Sequence, residues 1–457
     1  MKSHGMGNSS QSLINSLIVT ALMIAGGCTK ERPYELLPHE QVENKAVIDT
    51  AAEYVYVPST LNTDRTAAAG RPYWQGEQKL VKVRFSEHSL DVVQIDPETR
   101  FADNQANQKA VLSIPVEHIQ FRCTKNSVGE CGNKEERDEL TTWSARENFK
   151  ADFSALTVAE VNTLPIELQN LFGSGKCYPE AGSRFLGYRF EDGAINFQVE
   201  RTFHASVECA SQVSSLDDLT FSVIYHYSLV KLDKIATPGY QAVEYPQADQ
   251  NRFGFFTTDL HKLSIDERDR KEGEKTFLNR WNPDRDKIVY YLSDEFAKPQ
   301  YAAVKKATYE SFAALNDGLA RAGVKPRLEL RQGDGKIAGD LRNSMIVMVE
   351  DPVAAGLLGY GPSVANPKTG EILSARVVMY MGATKQTVRT TYEELREEQA
   401  SALAAAAKAA GVGASGAAGA LGVPPITGSS VAQSVAATAS GRIKAGARTA
   451  GAHASAG

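Results

Sequence analysis

Eight histidines are the side chains of this chain best suited to hold a metal or move a proton: His4, His39, His88, His118, His204, His226, His261 and His453. No two lie four positions apart. No helix can therefore present a pair one turn apart to zinc, the arrangement in which an intervening glutamate polarises the attacking water. His39-Glu40-Gln41-Val42-Glu43 opens like that motif but closes on glutamate, and reads as solvated linker. Gly173-Ser174-Gly175-Lys176 lacks full phosphate-loop spacing and has Cys177 where Ser or Thr would follow, so it reads as a turn. No serine stands in G-x-S-x-G. No residue is assigned a catalytic or metal-ligating role, and no cofactor is expected for this chain.

The five cysteines separate into one and four. Cys28 follows the apolar run Leu17–Gly27, which is too short to span a bilayer comfortably and ends in small residues. Residues 1–28 look like a bacterial lipoprotein signal, with lipid attachment at Cys28 and a membrane contact through that anchor. Thr29, in place of the aspartate that marks inner-membrane retention, favours the outer membrane of a bacterial envelope. The remaining Cys123, Cys131, Cys177 and Cys209 are an even number in an oxidising compartment, and they permit three pairings. Cys123 and Cys131 flank a short Asn/Ser/Gly turn, which favours Cys123 with Cys131 and Cys177 with Cys209. A four-thiolate zinc site is the rival, weakened because neither pair has close C-x(2 to 4)-C spacing.

The elements that would position these groups are of two kinds. At 457 residues with 42% hydrophobic content, the chain has material for two or three domains with a sizeable core. A net charge of -5, with no basic run interleaved with aromatics, argues against a nucleic-acid partner. Residues 29–70 are polar, contain Pro33, Pro38 and Pro58, and read as a tether. From 71 to 250 β-rich runs dominate: Leu80–Phe85, Leu90–Ile95, Ala110–Val116, Arg184–Phe190, Ile195–Val207 and Leu219–Leu232. Alternation of Ile195, Phe197 and Val199, and of Phe221, Val223, Tyr225 and Tyr227, predicts half-buried antiparallel strands, with a hairpin at Glu191-Asp192-Gly193. Glu135–Phe172 reads as more helical.

A charged linker, Asp266–Lys275, leads into a pattern of strand, helix, strand, strand, strand. Its members are Lys287–Leu292, Pro299–Ala322 stopped by Gly323, Arg327–Arg331, Ser344–Val349 and Ile372–Tyr380. This is a mixed α/β layer with a right-handed crossover expected at its start. The fold class is α+β. Phe253-Gly254-Phe255-Phe256 has two readings, an exposed aromatic contact or packing between the two domains, and the second is expected. Residues 397–457, dominated by Ala, Gly, Ser and Thr, cannot build a core and read as a disordered tail, helical at most near Leu403–Ala410.

Within 277–396, Arg280-Trp281, the strand Ile288–Ser293, Gly359-Tyr360-Gly361-Pro362-Ser363 and Asn366-Pro367-Lys368-Thr369-Gly370-Glu371-Ile372-Leu373 carry a family likeness. The segment Phe277–Gly382 resembles the start of the catalytic domain in bacterial envelope zinc metalloproteases of the metzincin type. The resemblance implies a partial metalloprotease domain in which Ile372, Leu373, Ser374, Ala375, Arg376 and Val377 line the cleft as an edge for an extended substrate. It also implies that zinc would be held by a later H-E-x-x-H helix, which this chain does not contain. The expected function is that of an envelope lipoprotein of metalloprotease lineage, inactive by itself. Two alternatives stand beside it: a surface-held binding or scaffolding module with a protein or peptide partner, and one half of a split or frameshifted metalloendopeptidase.

Overall fold

The computed structural model describes residues 35–63, 72–95, 110–158, 179–207, 219–246, 249, 252–261, 274–350 and 358–409. Cys28 and its signal, the Gly173–Lys176 turn, Cys177, Cys209 and the chain beyond Ala409 lie outside the described residues. In chain order the strands begin with β1 Val42–Asn44, β2 Tyr54–Thr63, β3 Lys79–Phe85, β4 Ser89–Gln94, β5 Ala110–Ile119, β6 Phe121–Lys125 and β7 Cys131–Arg137. They continue with β8 Asn148–Ala151, β9 Thr157–Val158, β10 Glu180–Glu191, β11 Ala194–His204, β12 Thr220–Lys231, β13 Thr257–His261 and β14 Glu274–Leu278. The last are β15 Lys287–Leu292, β16 Arg327–Gln332, β17 Ser344–Val349, β18 Gly359–Tyr360, β19 Ser363–Ala365 and β20 Ile372–Tyr380. Two long helices are α1 Ala302–Arg321 and α2 Met381–Ala409.

Two compact units divide the chain, one within 1–47, 85–90 and 114–152, the other within 48–84, 91–113 and 153–457. In the smaller, β8 pairs antiparallel with β1 and with the later half of β5, while β6 and β7 form a hairpin. A disulfide joins Cys123 to Cys131 across that hairpin, with the Cα atoms 5.4 Å apart. Phe149 is buried beneath Phe85, the ring centroids 5.0 Å apart. The helical reading of Glu135–Phe172 is corrected over its described part, which holds the end of β7, β8, β9 and two single 3-10 turns. Here Phe149 is buried from the short strand β8 and Phe153 from a single 3-10 turn, so no longer helical face is needed.

The larger unit is built on the antiparallel run β10, β11, β12, β2, β3. Asp192 (φ 52°) and Gly193 (φ 73°) give the two left-handed residues that a tight hairpin of matching twist requires, as the sequence predicts. The tether reading of 29–70 is corrected over its described part, which holds strand β2. Tyr54-Val55-Tyr56-Val57 is wholly buried, with β12 on one side of β2 and β3 on the other. A strand buried on both faces shows no alternation, which is why the run looked featureless in sequence. Pro58 is accommodated beyond the β3 pairing, and its carbonyl accepts from Gly76 N at 2.8 Å.

The α/β layer forms as the pattern predicts. β15 pairs parallel with β16 across the α1 crossover, β17 joins β15 in parallel, and β20 joins β17 in parallel. The arm β18 and β19 lies antiparallel on the far side of β20. Gly323 (φ 69°) ends α1 in the left-handed conformation. The division at 250–277 does not separate folded bodies. Leu341, Val364 and Leu373 of the layer share one core with Val55, Val57, Leu80, Ile95, Ala194 and Val230 of the β-sheet. The described end of the charged linker is strand β14, paired with β13. The helix α2 runs on through residues 397–409, which were read as tail, as the alanine content of that stretch permits.

Candidate functional site

The residues Ile372–Val377 were expected to form an edge open to substrate, and the structure gives β20 neighbours on both sides. Arg376 to Tyr380 pair with Met345 to Val349 of β17. Opposite, Ala375, Ser374 and Ile372 pair with Ser363, Val364 and Ala365 of β19. The open edge passes to β19, and there side chains close it. Gln75 Nε2 donates to Ser363 O at 3.2 Å, and Ala365 N donates to Gln78 Oε1 at 2.8 Å. Residues two apart point the same way on a strand, so these two glutamines use the donor and acceptor a peptide would need. Trp74 stacks on Tyr360 with centroids 4.4 Å apart, extending the cover along the arm.

The motif residues that carry the family likeness are held by internal bonds. Asn366 N donates to Glu371 O at 2.7 Å and Thr369 N to Asn366 O at 3.1 Å, closing a turn. Gly370 (φ 72°) sits where an added Cβ would lie 2.8 Å from Leu278 O, so glycine is required twice over. Arg280 N donates to Gly370 O and Ile372 N to Arg280 O, locking Arg280 into the same turn. Glu371 is fully buried and accepts from Thr237 N at 2.9 Å, Thr237 Oγ1 at 2.5 Å and Arg285 Nη2 at 3.2 Å. Its charge is neutralised and its oxygens are satisfied within the fold.

Arg376 is a buried cation that sequence reasoning placed on a substrate edge. Its Nη1 donates to Tyr73 O at 3.0 Å and its Nη2 to Ser59 Oγ at 3.3 Å. Burial pulls its pKa down to about 10, opposed by Tyr360, Tyr73 and Tyr380. It ties β20 to β2 and to the covering segment 72–78.

A third polar cluster surrounds His226, which no sequence argument singled out. Tyr225 and Tyr227 face inward by alternation, but Tyr225–Val230 are buried on both faces, so His226 is enclosed as well. Its Nε2 pairs with Asn196 Oδ1 at 3.2 Å, and burial holds the imidazole at about 4 against the pull of Asp340. Asp340 in turn takes Arg342 Nη2 at 2.6 Å, and Arg342 reaches Glu191 at 3.1 Å. A cavity of about 190 Å³ opens here, lined by Gly187, Tyr188, Asn196, Gln198, His226 and Asp340. Leu341 N donates to Ser228 Oγ at 3.2 Å beside it, so the cluster is another seam between the layer and the sheet.

Three further histidines are each engaged separately. His39 bonds Glu135, His118 bonds Ser86 O, and His204 bonds Thr220. Among the described residues no three His, Cys, Asp or Glu side chains gather as a metal site. Comparison with protein-family models, with curated proteins and with solved structures finds no match.

Two surfaces face solvent. Leu315 and Leu319 of α1, with Trp281, Pro283, Ile288 and Leu328, line an apolar groove of about 480 Å³. The α1 helix has no fully buried residue, so the predicted apolar face, with Val304 and Phe312 packed inward, is covered only in part. Phe253, Phe255 and Phe256 are 62%, 59% and 78% exposed, which corrects the expectation that they pack between domains.

Proposed function

We propose that this chain is an envelope lipoprotein of metalloprotease descent that cleaves nothing by itself. The observation that carries the reading is the use made of the motif. Asn366, Thr369, Gly370, Glu371 and Arg280 are all engaged in closing one turn against the sheet, so the likeness to metzincin-type proteases resides in folding residues. A fold can persist on such residues without the chemistry it once framed. The histidine spacing supports the same reading, because no two imidazoles can meet on one helical face.

The test is metal analysis of the purified chain together with an endopeptidase assay on an unfolded protein substrate. The expected result is no stoichiometric zinc and no chelator-sensitive cleavage. One zinc per chain with cleavage abolished by chelator would overturn it.

A second reading, a surface-held binding or scaffolding module, is favoured by the groove beside α1 and by the exposed phenylalanines. Strand addition at the β19 arm does not support it, since Gln75 and Gln78 occupy bonds there that a peptide would need. Cross-linking of the whole chain in intact envelopes tests it, and recovery of uncross-linked chain alone would count against it.

A further inference from the structure

Phe253, Phe255 and Phe256 are the only phenylalanines exposed among the described residues, and they fall within four consecutive positions. The loop that carries them is fixed at its base. Asn279 N donates to Phe256 O at 2.9 Å, Thr258 Oγ1 donates to Asn279 Oδ1 at 2.6 Å, and Tyr245 packs on Phe255 with centroids 6.2 Å apart. Phe253 and Phe255 stack at 6.0 Å, and Gly254 (φ 61°) turns the chain between them into open space. Arg252, exposed beside the rings, has no ion pair among the described residues. Three outward phenyl rings with an unengaged guanidinium at their border form a convex apolar tip with a cationic rim. Such a tip suits an anionic lipid interface, where rings enter the acyl boundary and the cation stays with the headgroups.

Chain length adds a separate argument. The described residues begin at Glu35, so an acyl group on Cys28 would keep that end of the chain within roughly 25 Å of the bilayer even at full extension. We propose that the Phe253–Phe256 loop is a bilayer-contact loop, inserting its rings into an anionic phospholipid surface as a second attachment beside the acyl anchor. Apolar rings seated in the interface add to whatever affinity an acyl anchor supplies, in proportion to the area they bury.

The proposal rests on the lipoprotein reading for its geometry, and the experiment separates the two. The chain from residue 28 onward, carrying Cys28→Ser so that no acyl group contributes, is floated with vesicles of phosphatidylethanolamine and phosphatidylglycerol. It is expected to float, and Phe255→Ser/Phe256→Ser is expected to bind about tenfold more weakly or worse. Phe256→Trp keeps an aromatic ring and is expected to bind with blue-shifted emission quenched by brominated lipid. Failure of the unacylated chain to float overturns the proposal. Equal flotation of the serine variant, or an unshifted tryptophan, does so too. If the serine substitutions instead change the sedimentation of the chain without vesicles, the loop is a protein interface and the proposal also falls. The mass of the N-terminal peptide from cells reports acylation independently. Its absence with vesicle binding intact would remove the lipoprotein reading and leave the loop assignment standing.

Discussion

The Glu371 carboxylate, wholly withdrawn from solvent, meets the Arg285 guanidinium at 3.2 Å while Thr237 supplies two further bonds. Glu371→Ala would leave Arg285 without its carboxylate and strand the Thr237 donors. The expected loss is about 3 kcal/mol in urea unfolding, with Glu371→Gln losing less because it keeps the shape and an acceptor. Equal midpoints for the two variants would contradict the role given to the charge.

His226 provides a pH signature. Its folded pKa lies at about 4 against an ordinary 6.5, so between those values the unfolded chain binds a proton that the folded chain refuses. The stability attached to this site is complete above pH 6.5, falls as pH drops through that window, and is lost by about pH 4. The full span is worth on the order of 3 kcal/mol. His118 shifts in the same direction through burial, so the measurement is a difference. Melting curves of His226→Gln should lose this part of the acid sensitivity and keep the rest.

Gln78→Ala should leave the Ala365 amide without its acceptor while touching little else. Hydrogen exchange at Ala365 is expected to speed up roughly five- to tenfold, the equivalent of one modest hydrogen bond, with global stability nearly unchanged. An unchanged rate would mean that the arm's edge is protected by something other than this side chain.

The Cys123–Cys131 bridge closes a loop with a sequence separation of 8 residues. Chain-entropy arguments give such a loop about 2.5 kcal/mol, and Cys123→Ser/Cys131→Ser should lower the unfolding midpoint of the smaller unit accordingly. Peptide mapping without reductant should recover the linked pair from the native chain.

Much of the strand pattern was legible because alternation is visible wherever one face is buried. Phe221, Val223, Tyr225 and Tyr227 announce β12, and Asp192-Gly193 announces its neighbouring hairpin. The tether misreading and the two overlooked polar residues share a cause. Tyr54–Val57 is enclosed on both faces, so it shows no period, and the nearby prolines suggested a tether. The same enclosure hid His226 and Arg376, since burial of a polar residue depends on partners distant in sequence. Arg376 finds Ser59 and Tyr73, and Glu371 finds Thr237 and Arg285; none of these spacings has a local signature. The motif from Asn366 to Leu373 was recognisable, but which of its residues serve folding could be seen only once the turn was closed.

The bond between Ser59 and Arg376 crosses 317 positions of chain. Strand 54–63 is therefore among the first elements to be synthesised, while the arginine that ties its end to the last strand of the layer arrives among the last. Until β12 at Thr220–Lys231 has been made, the run Tyr54-Val55-Tyr56-Val57 has β3 on one side and an unpaired edge on the other, the kind of segment that pairs with whatever is near. Folding of the larger unit should accordingly be slow and sensitive to concentration. For this protein, biogenesis depends on keeping an early strand from finding the wrong neighbour before the right one exists.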